Sequence, residues 1–217
     1  MVDPVDVLRK LGLVPAVIID QPQYAANVAR ALIDGGLPCA EVTFRTPAAE
    51  ESIRQIAKLY PQMTIGAGTV LTVDQAERAV GAGAGFIVSP GFDVRVVDWC
   101  QAHAVPVIPG VATPTEILMA LGKGIDVVKF FPAEALGGIR TLQATAAAFA
   151  GVKFIPTGGI SAQNLAAYLK LKVVLAVGGT WLVTGNLIKA GAFNEITRLT
   201  REAVEVVAHE RKGGETE

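Results

Sequence analysis

The chain has 217 residues, of which 51% are hydrophobic and 18% charged, and a formal net charge of -1. That size and apolar fraction suffice for one substantial core, and a single α/β domain is ordinary at this length. The near-neutral charge excludes a global basic field for nucleic acid or anionic lipid, so any anion must be held by a local site.

In chain order, residues 3–12 read as a short leading helix ended by Gly12, and Pro15 to Ile19 as an apolar strand. Tyr24 to Leu32 has helical spacing that Gly35-Gly36 stop. Strand-like segments follow at 39–44, 64–69, 85–89, 105–109, 126–131, 152–156 and 173–177. Between and after them lie helical patterns at 47–59, 73–82, 93–103, 114–122, 139–149, 161–169 and 193–208. Eight strands, each followed by a helix, predict a single (β/α)8 TIM barrel with a short N-terminal helix. The barrel domain is expected over 1–209, with 210–217 as a polar C-terminal tail. The apolar runs are broken by Gly, Pro or Lys well short of the ~18 residues of a membrane span. The start, with Asp3, Asp6, Arg9 and Lys10, lacks the pattern of a secretory signal. Cys39 and Cys100 cannot build a disulfide framework or a cysteine zinc cluster. These features predict a cytoplasmic protein without a membrane or nucleic-acid partner.

The chemistry-bearing stretch is Val127-Val128-Lys129-Phe130-Phe131-Pro132-Ala133-Glu134. In a strand, Lys129 shares a face with Val127 and Phe131, while Val128 and Phe130 face the other way. Both faces are then largely apolar, as in a parallel strand covered on both sides. Desolvation there favours the neutral amine, the form that attacks a ketone to give a Schiff base. The competing reading is a strand-end lysine whose stem packs and whose head reaches solvent.

A barrel places its working groups at the carboxyl ends of its strands. On the second strand Glu41, Thr43 and Arg45 share one face and Ala40, Val42 and Phe44 the other, so the polar set should point inward. A simple Glu41–Arg45 ion pair remains open at this spacing. Ile65-Gly66-Ala67-Gly68-Thr69 combines small residues, which leave interior space, with a terminal hydroxyl. Gly158-Gly159 precedes Ser161 and Gly178-Gly179 precedes Thr180, each pair followed by a hydroxyl residue expected to cap a helix. Amides exposed there can hold a phosphate. Lys153 echoes Lys129 but sits roughly 13 Å below the top of its strand at the usual rise, and is read as structural. His103 and His209 belong to no metal-ligand cluster in the sequence.

Taken together, Glu41-Val42-Thr43-Phe44-Arg45-Thr46, Gly66-Ala67-Gly68-Thr69-Val70, Ser89-Pro90-Gly91, Lys129-Phe130-Phe131-Pro132-Ala133-Glu134, Pro156-Thr157-Gly158-Gly159 and Gly178-Gly179-Thr180-Trp181-Leu182 resemble, in this order, the family of 2-keto-3-deoxy-6-phosphogluconate (KDPG) and 4-hydroxy-2-oxoglutarate aldolases. The resemblance implies a homotrimeric barrel and a class I aldolase of the Entner–Doudoroff pathway, acting through a covalent Schiff base with no metal or separate cofactor. It implies Lys129 as the Schiff-base lysine and Glu41 as the acid/base. Arg45 and Thr69 match residues near the substrate carboxylate, and Pro90, Phe131 and Thr157 match others lining the pocket. Gly158, Gly159, Gly179 and Thr180 match the phosphate site, with threonine standing where the family pattern has serine. The implied partners are a phosphorylated keto acid, pyruvate and glyceraldehyde 3-phosphate. Alternatives are preference for 4-hydroxy-2-oxoglutarate or for the galactose-series epimer, and a catalytically idle barrel used as a trimeric building block.

Overall fold

A computed structural model describes residues 3–213. Asp3 accepts a hydrogen bond from the Val5 amide and caps α1 (Pro4–Leu11), and Gly12, in the left-handed region at φ 71, ends it. The chain then enters β1 (Leu13–Val17), two residues earlier than the apolar run alone indicates. After it come α2 (Ala25–Asp34), β2 (Cys39–Thr43), α3 (Ala49–Leu59), β3 (Thr64–Gly68), α4 (Val73–Gly81), β4 (Phe86–Val88) and α5 (Val94–Ala102). The second half holds β5 (Val107–Ile108), β6 (Gly110–Val111), α6 (Pro114–Gly122), β7 (Val127–Phe130), α7 (Gly138–Ala146), β8 (Lys153–Pro156), α8 (Leu165–Leu169), β9 (Val177–Gly179), α9 (Gly185–Lys189) and α10 (Phe193–Gly213).

This is an α/β fold of parallel strands with helices packed outside them. Six strands form one sheet in the order β5-β4-β3-β2-β1-β9, and three form another in the order β6-β7-β8. The fifth strand, predicted over 105–109, is thus shortened to β5, and β6 follows just beyond the predicted end. Pro109 lies between β5 and β6, and having no N–H it cannot continue the ladder. On the other side, isolated parallel bridges Phe154–Val174 and Thr157–Gly178 link β8 to the segment leading into β9. Val174 lies in that segment rather than in a strand, so β9 starts where the predicted 173–177 strand ends.

The strands are buried on both faces. Val128, Phe130 and Phe154 are fully buried under the helices, as are Val42 and Ala67. The last helix α10 lies against α2, where the Thr197 hydroxyl donates to the Ala31 carbonyl at 3.1 Å. At its far end the Arg211 guanidinium donates to the carbonyls of Lys10 at 2.8 Å and Leu175 at 2.8 Å, tying the two ends of the chain to the strand bottoms. The helix runs through the start of the region expected as a tail, and residues 214–217 lie outside the described residues. No helix among the described residues is long and apolar enough to cross a membrane.

Candidate active site

The carboxyl ends of the strands surround a cavity of about 240 Å3. Its walls include ten of the eleven residues singled out from the sequence: Glu41, Arg45, Thr69, Lys129, Phe131, Thr157, Gly158, Gly159, Gly179 and Thr180. Pro90 is not among them. Its carbonyl packs against Gly110, the sheet neighbour of Lys129, on the face from which the lysine side chain projects.

Lys129 on β7 is 6% exposed and Glu41 on β2 is 3% exposed. The Lys129 Nζ donates to Glu41 Oε1 at 3.0 Å and stands 5.5 Å from the centroid of the Phe131 ring. The lysine head therefore does not snorkel to solvent. It is desolvated, and an amine and a carboxylate face each other in a dry site. Gly68 makes room for this contact. A methyl at that position would lie 2.5 Å from Glu41 Cγ.

The sequence left a Glu41–Arg45 pair open, and the structure separates those residues. Arg45 rises to the exposed rim, where its Nε donates to Thr69 Oγ1 at 3.3 Å. Thr69 ends β3 in the left-handed region at φ 55, a conformation sparsely populated by residues other than glycine. A guanidinium and a hydroxyl thus meet at the rim, above the buried acid and amine. Such a pair can hold a carboxylate.

Opposite them, Gly158 and Gly159 have φ of 101 and 79, and the loop after β9 brings Gly179 and Thr180 to the same cavity. Among the described residues, the N–H groups of Gly158, Gly159 and Thr180 donate to no acceptor. Free amides from two adjoining turns can bind an anion. The expectation that Ser161 and Thr180 cap helices is overturned. The Ser161 amide is instead taken by Asn164 Oδ1 at 2.8 Å, α8 begins only at Leu165, and Thr184 caps α9. The unpaired amides therefore belong to loops and not to a helix end.

That turn is buttressed from below. The amides of Ala133 and Glu134 donate to the carbonyls of Thr157 and Gly158 at 2.8 and 3.0 Å. The Tyr168 hydroxyl donates to the Glu134 carboxylate, and burial together with that contact pushes the tyrosine well above its ordinary range. Neither Glu134 nor Tyr168 carried a sequence signal for this contact, because 34 residues separate them.

Ala16, Ile18, Thr43 and Ile160 complete the cavity walls and were not singled out. Thr43 alone had a signal, the two-residue alternation that also picked Glu41 and Arg45. Lys153 opens β8 and donates to the Lys172 carbonyl at 2.9 Å, away from the cavity. His103 stacks on Trp99 with ring centroids 4.3 Å apart. Burial pushes the Cys100 thiol up to about 11, and the fully buried Cys39 higher still, so both stay protonated. No group of three or more metal-ligating side chains converges among the described residues.

Three comparisons bear on this geometry. The family model described as KDPG and KHG aldolase matches residues 5–199. The 2-dehydro-3-deoxy-phosphogluconate aldolase of Treponema pallidum is 48% identical over 207 residues, covering 95% of this chain and 99% of that protein. The KHG/KDPG aldolase of Escherichia coli K12 is 44% identical over 193 residues, covering 89% and 91%. Among solved structures, the KDPG aldolase of Legionella pneumophila, with pyruvate captured at low pH as a covalent carbinolamine intermediate, superposes with a TM-score of 0.89 at 40% identity, covering 92% of this chain and 97% of that one. A family match across most of the chain, with relatives this similar at nearly full length, leads to one conclusion: the chain belongs to the KDPG and KHG aldolase family.

Proposed function

We propose that this protein is a class I aldolase that cleaves 2-keto-3-deoxy-6-phosphogluconate to pyruvate and glyceraldehyde 3-phosphate. The observation that carries the reading is the buried Lys129 amine, 3.0 Å from Glu41, in a cavity bounded on one side by Arg45 and Thr69 and on the other by the free amides of two glycine turns. A carboxylate site, a nucleophile and a phosphate site therefore stand in the order in which a phosphorylated 2-keto acid presents its carboxylate, ketone and phosphate.

In the reaction, the Lys129 amine, its proton passed to Glu41, adds to the C2 carbonyl carbon. Loss of water gives a protonated imine, which is the electron sink. Glu41, directly or through a water, then takes the proton from the C4 hydroxyl. The electron pair of the C3–C4 bond moves into the imine as an enamine, and the aldehyde leaves. Protonation at C3 and hydrolysis release pyruvate. Arg45 and Thr69 hold the pyruvyl carboxylate, and Gly158, Gly159, Gly179 and Thr180 hold the phosphate. Phe131, Thr157 and, beside Gly110 on the neighbouring strand, Pro90 shape the space between. The lysine itself supplies the electrophilic catalysis, so the scheme needs no separate cofactor.

We further infer that residues 3–209 belong to one closed (β/α)8 barrel, residues 1–2 lying outside the described residues. The chain continuity of β5 and β6 through Pro109 and the bridges from β8 to β9 support closure of the two sheets. A homotrimer in the cytoplasm, serving the Entner–Doudoroff pathway, fits the exposed apolar side chains of Leu118, Met119 and Leu121 on α6. The test is borohydride reduction in the presence of pyruvate. It should add the mass of the reduced adduct to the peptide bearing Lys129, and adduct on Lys153 instead would overturn the assignment. A family model that spans both KDPG and KHG aldolases supports 4-hydroxy-2-oxoglutarate as a second substrate, separable by comparing kcat/KM for the two acids.

A further inference from the structure

One buried polar atom beside the cavity has no role in the scheme above. Thr43 ends β2 on the face that carries Glu41 and Arg45, is 3% exposed, and lines the cavity. Its Oγ1 is the buried side-chain atom that, among the described residues, has no hydrogen-bond partner. Buried hydroxyls are nearly always paired in folded proteins, and an orphan calls for an explanation. Threonine is not needed here for packing alone, since valine has the same shape without the unpaired hydroxyl.

The position of Thr43 indicates what its partner is. Glu41 lies two residues below it and Arg45 two residues above, each step being about 6–7 Å of strand. Glu41 holds the Lys129 Nζ, and Arg45 with Thr69 forms the carboxylate site. A 2-keto acid bonded through C2 to Lys129 and held through its C1 carboxylate at Arg45 must run alongside Thr43. The geometry points to Thr43 as a catalytic residue whose hydroxyl donates a hydrogen bond to the oxygen on C2, the ketone oxygen that becomes the carbinolamine hydroxyl. The inference rests on the aldolase reading and adds a group to it.

As the nitrogen lone pair forms the C2–N bond, the carbonyl π pair moves onto oxygen. Going to the carbinolamine, one proton passes from nitrogen to that oxygen. The proton that Glu41 took from the lysine then turns the hydroxyl into water, which departs with the C–O pair while the pair freed on nitrogen forms the C=N bond, leaving Glu41 again a carboxylate. A donor fixed beside the oxygen stabilises the charge that develops on it in both directions, and has nothing to bind once the imine has formed. Thr43 transfers no proton itself.

The experiment follows pyruvate trapping over time with borohydride in wild type, Thr43→Val and Thr43→Ser. The valine variant should reach its imine roughly tenfold more slowly, the usual weight of one hydrogen bond, while the fraction trapped at saturating pyruvate stays at the wild-type level. Serine, which restores the hydroxyl, should restore most of the rate. If valine does not yield folded protein, Thr43→Cys keeps the bulk and donates weakly, and the same slow phase is expected from it. A wild-type rate in the valine variant overturns the inference, and so does a serine variant as slow as valine. A fall in the saturating imine fraction also overturns it, because it moves the contact to the carboxylate. Failure of wild type itself to trap pyruvate on Lys129 would instead sink the aldolase reading, so the two failures are distinguishable.

Discussion

Replacing Gly68 with alanine tests the buried acid–amine pair without touching either member. The added methyl would sit 2.5 Å from Glu41 Cγ, 2.6 Å from Cδ and closer still to Oε1, where ordinary contact begins near 3.4 Å, so the side chain must retreat by at least about 0.9 Å. It has little freedom to do so. Glu41 is 3% exposed, and β2 and β3 are pinned in register from Cys39–Thr64 to Thr43–Gly68. Gly68 is not in the left-handed region, so backbone strain plays no part and the whole effect is steric. A shift of about 1 Å in a reacting group lowers kcat by roughly a hundredfold, while overpacking costs about 1–3 kcal/mol and Tm falls by roughly 2–4 °C per kcal/mol at this chain length. The assay is steady-state cleavage of the phosphorylated keto acid, coupled to reduction of the pyruvate released. Pyruvate trapping on the intact Lys129 serves as a control and should still reach completion. A Gly68→Ala protein that folds and keeps kcat within about threefold of wild type would refute the reasoning, since Glu41 would then not need its present position.

Lys129→Met should abolish trapping and, by stranding the Glu41 carboxylate in a dry site, cost about 3–5 kcal/mol in urea unfolding, with Glu41→Gln added to it recovering most of that loss; simple additivity of the two changes would contradict the pairing. Gly159→Ala puts a side chain at φ 79 and a methyl 2.5 Å from Glu134 Cβ. It should raise KM for the phosphorylated substrate by about tenfold or more, leaving turnover of 4-hydroxy-2-oxoglutarate nearly unchanged, and equal losses on both acids would remove the phosphate role of that turn. Asp93, which caps α5, is held at about 2, below its ordinary 3.8, chiefly by Arg95 and also by the helix amides. Its stabilising contribution is therefore full above pH 4–5 and lost as pH falls through 2; Asp93→Ala should cost about 1 kcal/mol at pH 7 and progressively less as pH falls through 2, which thermal melts across pH would read.

How much of this was legible in the sequence depended on how local each cause is. Two-residue alternation is a property of one strand, and it placed Glu41, Thr43 and Arg45 on a common inner face and Val128 and Phe130 on the opposite, buried one. Capping is equally local at Asp3 and Thr72, whose side chains accept from nearby amides as helix starts require. Strand ends are less local. β5 stops at Ile108 and β6 restarts at Gly110 because Pro109 offers no donor to a neighbouring strand, and an apolar run gives no hint of that. Ser161 looked like a cap, but Asn164 Oδ1 reaches the Ser161 amide first and α8 starts later. The five-residue α9 is too short for its periodicity to stand out.

The site itself is built from contacts between distant stretches, and its glycines show why no strand read alone discloses it. Lys129 and Glu41 are 88 residues apart and come from β7 and β2, on opposite sides of the interior. Gly68 looks in the sequence like one more small residue on a tight strand, yet what requires it small is the Glu41 side chain crossing its face toward Lys129. Gly178 is small for a parallel reason: a methyl there would lie 3.2 Å from Thr157 Cβ and closer still to its hydroxyl, at the bridge that joins β8 to β9. In both cases the glycine lies on the strand next to the functional side chain, so sheet neighbours, not sequence neighbours, decide its identity. A carboxylate can be packed against a lysine inside an apolar interior only where the adjoining strand gives up its own side chain. The residue that makes the chemistry possible is then the one with no chemistry of its own.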